Sequence, residues 1–152
     1  MSSEIRREDW DNLIRRQNSF YRSLGIDTMP LWSSTKKPRC EGWQRRSPED
    51  MWQEVTSSAN IGIRCGGEKG LVVIDADNKT KAGSSLIVEN HLVGLGLDLN
   101  KVPTSRTAND GCHFYAVCQD QHEGNFIKFS GDLSGELRFG AGCYVVAPPS
   151  EV

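Results

Sequence analysis

Apolar residues recur at helical spacing over residues 8–24, at Trp10, Leu13, Ile14, Phe20, Tyr21 and Leu24 with a lapse at Gln17. This stripe predicts an amphipathic helix ended by Gly25. Its other face carries Arg6, Arg7, Arg15, Arg16 and Arg22. A short extended piece at 27–32 and the polar, turn-rich loop SSTKKPRCEGW come next. Ser47, Pro48, Glu49 and Asp50 read as an N-cap, a proline at the first helical position and acids in the first turn, so a second helix is expected over 48–56. The texture then turns from helical to β. Short β-rich or aromatic runs at 60–64, 71–75, 112–118, 135–139 and 143–147 are bounded by Gly, Asn or Asp, and one helix at 84–93 interrupts them.

The pattern predicts an α+β fold, a mainly antiparallel sheet carrying two or three flanking helices. With 152 residues, 37% hydrophobic and 25% charged, the chain suits a single soluble domain. At this size folding buries roughly 70% of the unfolded chain's surface, so a core needs no disulfide or structural metal. The net charge of −2 offers no global basic field for a nucleic acid. It is unevenly spread, however: residues 1–50 hold ten basic and eight acidic side chains, and residues 51–152 hold eight and twelve. The apolar runs at 71–74 and 143–149 fall far short of the roughly 20 residues of a membrane span, and the N-terminus is too polar for a secretory signal. Five scattered cysteines without a CxxC pair suggest free thiols in a reducing, cytoplasmic setting. Cys112, His113, Cys118 and His122 lack the short ligand spacing of zinc sites, so zinc is set aside.

Three segments carry candidate chemistry. In LVVIDADN a hydrophobic strand runs into Asp75 and Asp77, which alternation places on one face about 6.6 Å apart. Two such carboxylates repel unless a cation neutralises them, and hard oxygen donors suit Mg²⁺ or Mn²⁺. An Asp-rich turn after a strand explains the same residues equally well. In SGELRFG, Glu136 and Arg138 share a strand face, as a surface ion pair on an edge strand or as a third carboxylate with a neighbouring cation for a two-metal phosphoryl-transfer site. In TANDGCHFYAV, Asn109, Asp110 and Gly111 form a tight turn; the strand after it sets His113 and Tyr115 on one face and Cys112, Phe114 and Ala116 on the other. A histidine there can meet a phosphate, although a lone histidine is more often structural. Lys36, Lys37, Arg39 and Arg64 stand near glycines that let a phosphate approach closely.

Taken in order, Lys36/Lys37-Pro38 with Gly42-Trp43, ANIGIRCG at 59–66, LVVIDAD at 71–77, Thr107 with Gly111-x-His113-Phe114-Tyr115, and GELRFGAGCYVVAPPS at 135–150 resemble one family. It is the bifunctional primase-polymerase (prim-pol) domain of the archaeo-eukaryotic primase superfamily, and the resemblance spans about residues 24–150. It implies a single catalytic domain over 1–152, with an N-terminal α/β part to about residue 70 and an RRM-like part over 71–152, of the kind found on plasmid, viral and mobile-element replication proteins. Carried over by position, Asp75, Asp77 and Glu136 are the catalytic acids that hold two Mg²⁺ or Mn²⁺ ions, and His113 contacts the triphosphate of the incoming nucleotide. Arg138 and Lys36 are further candidates for triphosphate or template contacts. Cys112 stands where the family often has a small hydroxyl residue or glycine; alternation turns it toward the core. The chain ends at Val152, where family members usually continue, so a longer natural protein with a C-terminal helical domain or helicase is expected.

The activity implied is DNA primase/DNA polymerase nucleotidyl transfer on a single-stranded DNA template from dNTPs or NTPs, with no membrane partner. Two other readings stand beside it: a metal-dependent nuclease using the same carboxylates, and a non-catalytic module that binds single-stranded nucleic acid on its sheet.

Overall fold

The computed structural model describes residues 7–107, 110–120, 123–131 and 133–152. Arg6, Asn109 and His122 of the sequence reading lie outside these. The chain divides into two units, one ending at Arg64 and regaining Tyr144–Val152, the other Cys65–Cys143, each with its own antiparallel sheet. Helices and antiparallel sheets make the fold α+β, as the hydrophobic pattern predicts.

In the first unit, helix α1 (Arg7–Ser23) precedes strand β1 (Thr28–Trp32), helix α2 (Pro48–Gln53) and strand β2 (Ala59–Arg64). The Ser47 side chain accepts a hydrogen bond from the Asp50 N–H at 3.2 Å, so the predicted cap forms. Strand β2 is buried along its whole length and is central, flanked by β1 and the last strand, β8 (Tyr144–Ala147). Met29, Leu31, Cys40 and Met51 form a core cluster, with Trp43, Tyr144 and Val146 packed against it.

The second unit holds β3 (Leu71–Asp77), α3 (Ser84–Gly94), β4 (Thr104–Thr107), β5 (Gly111–Val117), β6 (Phe126–Lys128) and β7 (Gly135–Arg138), with sheet order β4-β5-β3-β7-β6. One face is apolar: Ala76 and Phe114 pack with Val88 and Leu92 of α3, and Ile74, Cys112, Phe129 and Leu133 close around them. Cys112 therefore faces the core, as alternation predicts. Phe114, 2% exposed, fills the middle of this layer. Phe114→Ala should cost about 3–5 kcal/mol, from lost transfer energy and the cavity left behind. Urea unfolding would show this as a lowered midpoint at unchanged slope.

Two differences from the sequence reading concern strands. The hydrophobic pattern suggests one sheet, and the resemblance groups residues 71–152, but β8 pairs with β2, setting Val145 opposite Ile63 and Ala147 opposite Ile61. All four side chains are buried, so the pairing satisfies the alternation of both strands. Strands β4 and β6 escape prediction. Both are sheet edges, and β6 is exposed throughout, so backbone pairing rather than apolar alternation makes them strands.

All five cysteines are free thiols. Burial, with Cys143 close by, pushes the Cys65 thiol up to about 12. Cys65 should therefore stay unlabelled by iodoacetamide at pH 8 in the folded protein and react once urea is added, as peptide mass spectrometry would report.

Candidate active site

The second unit's other face carries the polar residues. Because β3 alternates, Val73, Asp75 and Asp77 share it, and the pairing register decides their neighbours. Asp75 lies opposite His113 on β5 and opposite Glu136 on β7. His113 in turn lies opposite Ser105 on β4, and Glu136 opposite Lys128 on β6. One cross-strand row thus reads Ser105, His113, Asp75, Glu136, Lys128. In the next row Val73 separates Tyr115 from Arg138.

Directly opposed side chains have Cβ atoms about 5 Å apart, and like charges so placed destabilise a sheet. Asp75 and Glu136 are such a pair, and the Arg138 guanidinium spans them. Arg138 places Nη2 2.6 Å from Glu136 Oε1 and 3.4 Å from Asp75 Oδ2, while its Nε–H donates to Glu136 Oε1 at 2.7 Å. On the opposite side His113 Nε2 stands 3.5 Å from Asp75 Oδ1. The Glu136–Arg138 pair therefore exists, but on an interior strand and partly buried rather than on an edge strand.

His113 is 7% exposed, and its Nδ1 is buried without a hydrogen-bond partner among the described residues. Buried polar atoms are ordinarily paired, so an unpaired one marks a place where a ligand or water completes the site. The ring meets Tyr115 edge-on at 6.2 Å between centroids, and the Tyr115 hydroxyl lies 2.9 Å from Ser105 Oγ.

Asp77 is on the same face but is occupied differently. Its carboxylate accepts from the Thr80 hydroxyl at 2.6 Å and from the N–H groups of Lys79 and Thr80 at 2.9 and 3.3 Å. These bonds, chiefly that from the Thr80 hydroxyl, hold its carboxyl below the usual carboxylate range. The structure thus brings Asp75, His113, Glu136 and Arg138 together and turns the Asp77 carboxylate into its own loop. Among the described residues no three His, Cys, Asp or Glu side chains are grouped to hold a metal ion.

The donor chemistry nonetheless fits a divalent ion in part. Two carboxylates on adjacent strands already share one cation, the Arg138 guanidinium, and their oxygens suit Mg²⁺ or Mn²⁺. The third carboxylate on this face, Asp77, already accepts from Thr80 and Lys79.

Basic residues of the first unit divide similarly. Arg64 is not available to a phosphate: its Nη1 donates to the carbonyls of Trp43 and Arg46 at 2.6 and 2.8 Å, and Nη2 pairs with Asp27 at 3.3 Å. It is a structural clamp, which the glycine-rich surroundings in sequence do not disclose. Arg39 stacks on Trp32 and donates to Ser57 and Ser58. Lys36 is exposed, and its carbonyl accepts from the Tyr144 hydroxyl. Ser105 and Lys128, the outer members of the row, escape sequence reasoning because their edge strands lack an apolar pattern.

No helix among the described residues is long and apolar enough to cross a membrane. Residues 18–152 match the family described as "Bifunctional DNA primase/polymerase, N-terminal". No curated protein matches the chain.

Proposed function

The chain belongs to the bifunctional DNA primase/polymerase family, a membership that implies DNA and nucleotide substrates, and on that footing we propose that it is a template-directed nucleotidyltransferase whose reacting centre is the row around Asp75. One observation carries the assignment: Asp75 lies between Glu136 and His113, so two oxygen-donor side chains and an imidazole with an unpaired buried nitrogen meet on one sheet face. We take the second unit as the RRM-like part of the domain, and single-stranded DNA as the template.

In this reading Asp75 and Glu136, joined by Asp77 once its turn opens, hold divalent metal. The bound ions would lower the pKa of the attacking 3′-hydroxyl and neutralise the departing pyrophosphate. The protein's own part is positioning and charge, which dominate phosphoryl transfer. An Nδ1–H on His113 would donate to a triphosphate oxygen and fix the α-phosphate near the acids. The imidazole is itself oriented by its Nε2 contact with Asp75. Arg138 supplies a planar fork suited to phosphate oxygens, and Lys36 a mobile point charge for the triphosphate or the template backbone.

The reading is tested by supplying a labelled dNTP or NTP mixture, a primed or unprimed single-stranded DNA and Mg²⁺ or Mn²⁺. Lengthened product supports it. Shortened template in the absence of nucleotides would favour a nuclease instead, and tight template binding without either reaction a binding module.

A further inference from the structure

We infer that Arg138 is a built-in counter-cation that holds Asp75 and Glu136 together before metal arrives, and that a divalent ion must displace its guanidinium from Asp75 to enter. This rests on the proposed assignment of those two carboxylates as metal-holding groups. Asp75 and Glu136 are directly opposed on adjacent interior strands, an arrangement that repels when both are ionised. A neutral sheet partner would leave that repulsion in place. Arg138 removes it by reaching back along β7 and diagonally across to β3, so that its Nη2 touches both acids while its Nε–H anchors on Glu136.

The two contacts are unequal. Toward Glu136, Nη2 and Nε stand at 2.6 and 2.7 Å; toward Asp75, Nη2 stands at 3.4 Å, beyond a good charge-assisted hydrogen bond. The Asp75 arm is thus the one that yields first. Guanidinium and metal compete for the same negative charge, so occupancy by one lowers affinity for the other by the same factor. The exchange also resolves a conflict within the proposed function. A guanidinium held by two carboxylates has little charge to offer a phosphate, whereas one released from Asp75 does. Metal entry therefore makes Arg138 available to an anionic substrate, and Arg138 acts as a positioning residue coupled to the metal.

The experiment uses metal alone, without nucleotide. Binding of Mn²⁺ is read from loss of the free-ion electron paramagnetic resonance signal for the wild type, Arg138→Gln, and Arg138→Gln combined with Asp75→Asn or Glu136→Gln. Arg138→Gln should bind Mn²⁺ about tenfold more tightly than the wild type, and either added carboxylate substitution should erase the gain. Equal or weaker binding by Arg138→Gln overturns the inference, as does a gain that survives either added carboxylate substitution. Should the variant fail to fold, the wild type answers alone. With ¹⁵N-labelled arginine, Mg²⁺ titration should shift the Arg138 side-chain N–H signals, and unchanged signals at saturating Mg²⁺ overturn the inference. Nucleotide incorporation by Asp75→Asn reports separately on the proposed function. If that variant retains full activity, the assignment of the acids fails whatever Arg138 does.

Discussion

Asp75→Asn should lower metal-dependent nucleotide incorporation at least about a thousandfold, equivalent to about 4 kcal/mol of transition-state stabilisation. Asparagine keeps the shape of the side chain and the register of β3, so the sheet should persist. The charge disappears, and with it one of the two carboxylates at Arg138 Nη2 and the carboxylate beside His113 Nε2. Among the described residues no other acid stands in that place: Glu136 is across the strand gap, and Asp77 is engaged by Thr80 and Lys79. The measurement is single-turnover extension of a primed template in saturating Mg²⁺ and Mn²⁺, with circular dichroism to verify the fold. Extension within tenfold of the wild type would remove Asp75 from the reacting centre. Asp77→Asn makes an informative companion, because its effect measures how far the turn must open for that carboxylate to take part.

The second large effect is expected on the architecture beneath the site. Gly135 sits at the start of β7 with φ +131°, a conformation side chains rarely adopt. A Cβ there would lie 1.8 Å from the Asp75 carbonyl oxygen and 2.9 Å from its carbon, both backbone atoms that no rotamer change can move. Gly135→Ala must therefore pry β7 from β3 at the pair that aligns Glu136 with Asp75. A destabilisation above about 3 kcal/mol is expected, large for a single methyl group and attributable to strain and lost pairing. Urea unfolding followed by tryptophan fluorescence and circular dichroism, with hydrogen exchange of the β3 and β7 amides, would show it. A loss below about 1 kcal/mol with full protection of those amides would contradict the close approach. Nucleotide incorporation should fall with the fold, because Glu136 loses its register.

Several elements were legible because the pattern that predicts them is also what the fold uses. Strand β3 is hydrophobic until its acids, Ser47 and Pro48 start α2, and helix α3 appears where predicted. Cys112 and Phe114 turn to the apolar face by alternation alone. The edge strands β4 and β6 were hidden because backbone pairing needs no side-chain pattern. Arg64 looked like a phosphate ligand because its sequence neighbours are glycines. Only tertiary packing sets the Trp43 and Arg46 carbonyls and Asp27 around it.

From residue order alone come the strand that ends in Asp75 and Asp77, the shared face of Glu136 and Arg138, the turn before His113 and the resemblance that joins these segments. Those are local properties, determined by side-chain alternation and turn chemistry within a few residues. Which strands become neighbours is not local. That Asp75 faces His113 and Glu136, that Arg138 reaches both acids, that Asp77 is held in its own turn and that β8 joins β2 depend on pairing and register between distant segments. Burial and backbone hydrogen bonding select that register only when the whole sheet assembles.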